Sequence, residues 1–221
     1  GPSLRLLDRL HHQSAPLVAV VENAAQLATY RDVDGRLFID NVETRLRAAG
    51  YKVRRSVVGA EQCGLPQYRR RLYLVATHRD LGACPVRTPS RPNVGVQVLL
   101  APLRDGESHH SRPAADGAWH GVDTAIARFV REFPRSTPTG FITVRHSRKL
   151  VNKGKTKVRS ILPALTYSGA SQPPWVVDRG RPLSVAEAAR FQGVCPHELQ
   201  WPSDPASFRL LGNSMAGSVL Y

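Results

Sequence analysis

The first regular pattern in the chain is a run of apolar residues with no polar interruption. Residues 17–21 read Leu-Val-Ala-Val-Val. An apolar run of this length, rich in β-branched residues, is typical of a strand that is buried on both faces of a parallel sheet. We therefore expect a buried parallel strand here.

Helical spacing follows this run. Phe38, Val42 and Leu46 fall on one face of a predicted helix. Gly50 is well suited to the left-handed conformation that ends many helices. Two further strands are predicted over 51–58 and 71–77, and the order strand, helix, strand, strand indicates the trailing part of an α/β sheet.

The periodicity fades between residues 81 and 180, apart from an amphipathic stretch near Ile126 and Phe129. Segments of this kind predict a lobe of short strands and loops. Order returns at Ser184 and Glu187, which are spaced as a capping box at a helix start. We predict three parts: residues 1–80 in an α/β domain, 81–180 in a recognition lobe, and 181–221 returning to the α/β domain.

Composition narrows the class of protein. The chain has 221 residues, 42% of them hydrophobic, and a formal net charge of +14. This hydrophobic content is enough to build a core. No apolar run approaches the length of a membrane span, and the start of the chain lacks the pattern of a signal peptide. We expect an intracellular protein without membrane association, in the cytoplasm or nucleoid of a bacterium or in a eukaryotic nucleus.

The three cysteines are far apart and lie in no CxxC spacing. This pattern supports neither a zinc site nor a disulfide framework, so we predict reduced thiols and no metal.

The charge is unevenly distributed. Residues 133–177 contain no Asp or Glu but many Arg and Lys. A solvated basic surface is one interpretation, but a block this one-sided is more typical of a surface that binds nucleic acid.

Four segments at the two ends of the chain carry a resemblance through their sequence, order and spacing. They are Val21-Glu22-Asn23, the segment 64–71 ending in Gln67-Tyr68-Arg69-Arg70-Arg71, the segment 181–193, and Gly212-Asn213-Ser214. In this order they resemble motifs VI, VIII, IX and X of the DNA (cytosine-5)-methyltransferases, with Ala24 where Val is usual after motif VI.

The resemblance implies a fold and a set of catalytic roles. The fold would be the C-terminal part of a Rossmann-like class I methyltransferase sheet with a small recognition lobe. Glu22 would be the acid that assists addition to cytosine by acting at N3, and Asn23 would fix the adjoining loop. Alternatively, Glu22 could cap the next helix.

Motif VIII implies roles for two arginines. Arg71 would contact O2 of a cytosine flipped out of the duplex, and Arg69 would hold phosphate or buttress the site. The alternative is that three successive arginines merely occupy a strand edge, which we prefer for Arg70.

Motif X implies a cofactor contact. Asn213 and Ser214 would line the pocket for S-adenosylmethionine, although a Gly-Asn pair before a helix could also be only a turn and cap. Glu187 and Arg190 in motif IX would organise the recognition lobe and stay outside catalysis.

The recognition lobe would bind double-stranded DNA, with arginine suited to guanine edges. The candidates for phosphate or base contacts are Arg145, His146, Arg148 and Lys149, and those for backbone contacts alone are Lys153, Lys155, Lys157 and Arg159.

Two family features are absent from this sequence. It contains no Pro-Cys dipeptide, which carries the family's nucleophile, and no Phe-x-Gly-x-Gly loop, which holds the cofactor. We therefore expect a second polypeptide that supplies both and shares the cofactor. An apolar strand left without its neighbours would also need such a partner to cover it.

The leading hypothesis is a subunit or fragment of a DNA (cytosine-5)-methyltransferase that is inactive alone, as in two-subunit bacterial modification enzymes. The alternative is a non-catalytic DNA-binding or regulatory subunit on the same scaffold. Methylation of tRNA is a third, weaker possibility.

Overall fold

The computed structural model describes residues 16–81, 90–92, 94–102, 120–135, 139–143, 158–165 and 173–217. The chain divides into two compact units. The first unit comprises residues 1–59 and 70–89, and the second comprises residues 60–69 and 90–221. Motif VIII is therefore divided between the units, because the chain enters the second at residue 60 and returns to the first at residue 70.

Five α-helices and nine strands lie in the described ranges, besides short 3-10 helices. In chain order they are β1 (Val18–Ala24), α1 (Phe38–Ala48), β2 (Tyr51–Gly59), β3 (Gln67–Tyr68), β4 (Arg70–His78), α2 (Val96–Leu99), α3 (His120–Glu132), β5 (Phe141–Ile142), β6 (Val158–Arg159), β7 (Leu162–Pro163), β8 (Trp175–Val176), β9 (Arg181–Pro182), α4 (Val185–Phe191) and α5 (Asp204–Asn213).

The first unit is a three-stranded sheet covered by one helix. β4 lies between β1 and β2 and runs antiparallel to both. Of the predicted apolar stripe of α1, Val42 and Leu46 are buried in one cluster with Leu72 and Leu74 of β4, and Phe38 is partly buried beside them. Ile39, which the stripe did not include, is also buried there. Burying one such side chain stabilises the fold by about 1.5–3 kcal/mol.

The end of α1 is as predicted. Gly50 adopts φ 90°, a left-handed conformation that turns the chain directly into β2. Glu43 on α1 then ties the helix to its own last turn and to β2, since its carboxylate lies 2.8 Å from Arg47 Nη2 and 3.1 Å from Arg55 Nε.

The prediction that the first strand is buried in a parallel arrangement is wrong. β1 pairs antiparallel with β4, and only one of its faces packs on the core, through Ala19 and Val21. On the other face Val18 and Val20 are 45% and 48% exposed. Successive side chains of a strand point to opposite faces, so an apolar run with one covered face leaves alternate residues in solvent.

The second unit has a four-stranded sheet in the order β6-β5-β8-β9 and a separate parallel pair, β3 with β7. The predicted amphipathic stretch is α3, whose Val122 and Ala125 pack against Ile142 and Trp175. The helix predicted from the capping box is α4.

The recognition lobe and the C-terminal segment share one core. Phe141 of β5 and Leu162 of β7 are fully buried together with Phe191 of α4 and Phe208 of α5. The rings of Phe141 and Phe191 meet edge to face, with centroids 5.3 Å apart. The boundary predicted at residue 180 therefore does not separate two packed bodies.

The residue before β5 of the four-stranded sheet, Gly140, has no room for a side chain. Gly140 adopts φ 106°, and a Cβ at this position would collide with the carbonyl oxygen of Arg159. Its N–H donates to the Asp178 carboxylate at 2.6 Å. These contacts hold the start of β5 close to β6 on one side and to the turn after β8 on the other.

Candidate catalytic and cofactor sites

The end of β1 and the start of β4 bring two predicted catalytic residues together. In the antiparallel register Glu22 lies opposite Tyr73, and Ala24 lies opposite Arg71. Glu22 and Arg71 are thus diagonal neighbours on one face of the sheet, where long side chains are within reach. Glu22 Oε1 lies 2.8 Å from Arg71 Nε, with the side chains only 15% and 18% exposed.

The structure does not support the capping alternative for Glu22. The short 3-10 helix that follows β1, Ala25–Ala28, has Ala24 as its N-cap and receives no side-chain cap. Glu22 therefore pairs with Arg71 instead of capping the next helix.

Asn23 and Arg70 point away from this pair. Asn23 is exposed, and its Oδ1 accepts a hydrogen bond from Ala24 N at 2.8 Å, which fixes the backbone where the strand ends. Arg70 is also exposed, as expected for a residue on the opposite face from Arg71.

Arg69 lies in the second unit and is buried, with 2% exposure. Its guanidinium donates to the backbone oxygens of Leu165, at 3.3 Å, of Gly212, at 3.1 Å, and of Ser214. A side chain enclosed in this way fits a buttress and does not fit a phosphate contact.

The predicted cofactor residues close helix α5. Asn213 is the last helical residue and is exposed, and Ser214 is the C-cap. Since Gly212 and Asn213 both belong to the helix, the alternative of a turn and cap ahead of a helix does not describe them. Ser214 N donates to Leu210 O at 2.9 Å, and its hydroxyl donates to Leu211 O at 2.9 Å.

These groups fit the polar end of S-adenosylmethionine. The Ser214 hydroxyl donates its hydrogen bond to Leu211 O. Its oxygen can therefore still accept a hydrogen bond from an ammonium group. The exposed Asn213 amide offers both a donor and an acceptor for a carboxylate or a hydroxyl.

Of the predicted DNA contacts, the structure describes only Arg159. This residue is exposed on β6 and lies opposite Phe141 of β5. Seven others lie outside the described residues: Arg145, His146, Arg148, Lys149, Lys153, Lys155 and Lys157.

Glu187 has more partners than its capping box predicted. Its carboxylate accepts from both Nη atoms of Arg181 at 2.8 Å, from Ser184 and from Ala101 N at 2.9 Å, and it is fully buried. Burial alone would raise the pKa of Glu187, but the hydrogen bonds from Arg181, Ser184 and Ala101 outweigh it and lower the pKa to about 2. The segments at residues 101 and 181 are thereby joined at one carboxylate.

The surroundings of Cys63 do not activate its thiol as a nucleophile. Cys63 is buried, and burial and the nearby Glu61 carboxylate raise the pKa of its thiol although Arg91 opposes them. Cys195 is exposed. Among the residues that the structure describes there is also no group of three His, Cys, Asp or Glu side chains that could hold a metal ion, and no helix long and apolar enough to span a bilayer.

Comparison with known proteins gives a consistent result. Residues 7–221 match the family described as C-5 cytosine-specific DNA methylase. The curated Type II methyltransferase M.NlaX of Neisseria lactamica is 26% identical over 220 residues, which are 97% of this chain and 63% of that protein. The chain thus spans less than two thirds of the length of this relative.

Solved structures share the fold. The S. pombe Dnmt2 methyltransferase superposes with a TM-score of 0.58 at 16% identity, over 98% of this chain and 68% of that one. The Entamoeba histolytica methyltransferase EhMeth superposes with a TM-score of 0.57 at 13% identity, over 97% of this chain and 65% of that one.

Proposed function

Because the chain belongs to the C-5 cytosine-specific DNA methylase family, we propose that it is part of an enzyme that methylates C5 of a flipped cytosine in duplex DNA. The observation that carries this proposal is the Glu22–Arg71 pair. A scaffold without catalytic function has no need for an acid held 2.8 Å from a base-binding arginine at the end of a strand.

The pair has the chemistry that attack on cytosine requires. Addition of a nucleophile at C6 puts negative charge on the ring, and an acid at N3 relieves it. Glu22 is the acid in this proposal. Arg71 Nε forms the ion pair with Glu22, and Arg71 Nη1 donates a hydrogen bond to Arg70 O at 3.0 Å. Its remaining Nη2 is the donor that we assign to O2 of the base.

The cofactor supplies the methyl group when it is bound. Asn213 and Ser214 would hold its methionine end, and the rest of its pocket would come from outside this chain, as the missing Phe-x-Gly-x-Gly loop requires. Arg145, His146, Arg148 and Lys149 remain our candidates for DNA phosphate and base contacts, with Lys153, Lys155, Lys157 and Arg159 on the backbone. We also propose that the protein acts in the cytoplasm or nucleoid of a bacterium or in a eukaryotic nucleus.

We propose that a second polypeptide, or the remainder of a longer chain, completes the enzyme. It would carry the Pro-Cys nucleophile that this sequence lacks. Two further observations support this. The chain matches 63% of the length of M.NlaX, and β1 leaves Leu17, Val18 and Val20 about half exposed at a sheet edge that is unpaired within the described residues. Long apolar edges of this kind are normally covered.

Transfer of labelled methyl from S-adenosylmethionine to mixed-sequence DNA tests the proposal. We expect no label with this chain alone and label after assembly with a chain carrying Pro-Cys and Phe-x-Gly-x-Gly. In the assembly, Glu22→Gln should lower turnover by about 10²–10⁴-fold, as for other general acids, with DNA affinity unchanged.

Glu43→Gln is the matched control, because Glu43 is also paired with arginines in the first unit but lies on α1. It should lower stability and leave turnover intact. Unchanged turnover in Glu22→Gln would rule out the acid role. DNA binding without methyl transfer in any assembly would favour the non-catalytic subunit.

A further inference from the structure

Three of the last four backbone carbonyls of α5, those of Leu210, Leu211 and Gly212, accept hydrogen bonds. The last four carbonyl groups of a helix have no partner inside it. Here Ser214 N and Oγ cover Leu210 and Leu211, Gln192 Nε2 donates to Leu211 O at 2.9 Å, and Arg69 covers Gly212 and Ser214.

Arg69 is the one cation in this set, and two physical effects favour it there. A positive charge complements the negative end of the helix dipole. A guanidinium presents several donors in a fixed plane, so it can hold two nearby carbonyls in one relative orientation, which a lysine cannot do. Both effects are strong because the side chain is buried.

The segment beyond Ser214 is also anchored. Gly217 N donates to Gln192 O at 2.7 Å, and a Cβ at position 217 would lie 2.5 Å from Gly193 O. Ala216 packs in a small apolar cluster with Ala60 and Leu65. The backbone on both sides of Ser214 is therefore held, from one side by Arg69 and from the other by Ala216 and Gly217.

From this geometry we propose that Arg69 is a positioning residue for the cofactor site. It touches neither cofactor nor DNA, and it fixes the backbone that presents Asn213 and the Ser214 hydroxyl. This inference rests on the proposed function, because it takes these two residues as cofactor contacts. It also replaces the phosphate role that the sequence left open for Arg69.

The test is a pair of binding constants measured on the assembled enzyme. Titration calorimetry gives the dissociation constant for S-adenosylhomocysteine, the demethylated cofactor, and fluorescence anisotropy gives that for a DNA duplex. In Arg69→Met we expect the first constant to rise at least about tenfold, since hydrogen bonds to a charged group are removed. The DNA constant should change far less, because the hydrogen bond from Arg69 to Leu165 O, in the recognition segment, is longer at 3.3 Å than the one to Gly212 O at 3.1 Å.

Two variants complete the design. Arg69→Lys keeps the charge but not the planar fork, so it should recover part of the cofactor affinity. Arg70→Met makes the same change at the exposed neighbouring arginine and should leave the cofactor constant unchanged. Circular dichroism shows the temperature range over which each variant is folded, and binding is measured within that range. If Arg69→Met does not fold, Arg69→Lys provides the decisive comparison.

The outcomes are distinct. Wild-type cofactor affinity in folded Arg69→Met, or an equal loss of cofactor and DNA affinity in both Arg69 variants, would overturn the positioning role alone. An assembled wild-type enzyme that binds no S-adenosylhomocysteine would overturn the proposed function, and this inference with it.

Discussion

At the scale of single residues, two of the Arg–Glu pairs in the described part of the chain have opposite characters. Glu187 is fully buried and accepts hydrogen bonds from Arg181, Ser184 and Ala101. The hydrogen-bonding capacity of its carboxylate is therefore used inside the protein. Glu22 is partly exposed and is paired with Arg71 only through Nε. The first arrangement stabilises a fold, whereas the second leaves donors and acceptors for a base.

The hydrogen bonds of the buried Glu187 carboxylate predict how its contribution to the stability of the fold depends on pH. Its pKa is about 2 in the folded protein against an ordinary value of 4.5. A lowered pKa means that the stabilisation is fully present above about pH 4.5 and is lost as the pH falls toward 2. Glu187→Gln removes the buried carboxylate charge of the pair with Arg181, and breaking a buried ion pair costs about 3–5 kcal/mol at neutral pH.

Thermal unfolding of wild type and Glu187→Gln from pH 7 to pH 2 measures this effect. We expect a wide gap in Tm at pH 7 that narrows between about pH 4.5 and pH 2. A gap that is the same at all pH values would contradict the role of the ionised carboxylate.

At the scale of helices and strands, the stability of the recognition lobe depends on close contacts between backbone segments as much as on side-chain packing. β5 and β6 have two residues each, so most of their stability comes from packing and from a few close contacts. Gly140 supplies one such contact, between the start of β5 and the Arg159 carbonyl.

Gly140→Ala should therefore destabilise the second unit. The alanine must adopt φ 106° and its Cβ must displace Arg159 O, for a cost of at least about 1–3 kcal/mol. Gly95→Ala is the control, because Gly95 has φ −61° and a methyl group added there would meet no atom within 4 Å. Urea denaturation should give a lower midpoint for the first variant only; equal midpoints would show that the close approach is relaxed in solution.

Across the molecule as a whole, the charge of the chain bears on the DNA binding that we propose. The net charge is +14, and the segment 133–177 contains no acidic residue. Binding that neutralises phosphates releases counterions, so affinity falls steeply with salt.

We expect the logarithm of the DNA association constant to fall linearly with the logarithm of salt concentration. Changing Lys153, Lys155 and Lys157 to Gln together should reduce the slope by about one for each phosphate that is no longer neutralised. Lys52→Gln, on the exposed side of β2, is the control. Anisotropy with a labelled duplex measures the slope, and an unchanged slope in the triple variant would remove these lysines from the interface.

A second prediction for the whole molecule concerns the edge strand β1, with its exposed Val18 and Val20. Val20→Lys should reduce self-association of the isolated chain and also block assembly with the completing polypeptide, because a charge cannot be buried there without a partner. Val33→Lys changes a valine that is fully exposed in a loop and should affect neither property. Light scattering and co-purification report the two effects, and normal assembly of Val20→Lys would contradict our use of this edge.

The local elements and the motifs could be predicted from spacing along the chain. The stripe of α1, its end at Gly50, the strands β2 and β4 and the capping box of α4 all followed in this way, because helix and strand periods act over a few residues. The motif order was also enough to indicate the family.

Contacts between distant groups became visible only in the fold. The pairing of Glu22 with Arg71 depends on the register of β1 against β4, and the hydrogen bond of Arg69 to Gly212 joins residues 143 positions apart. The same applies to β1, whose apolar run contained no sign of an antiparallel partner or of an exposed face. Spacing carries information about neighbours along the chain, whereas register and burial arise from packing between segments that the spacing does not relate.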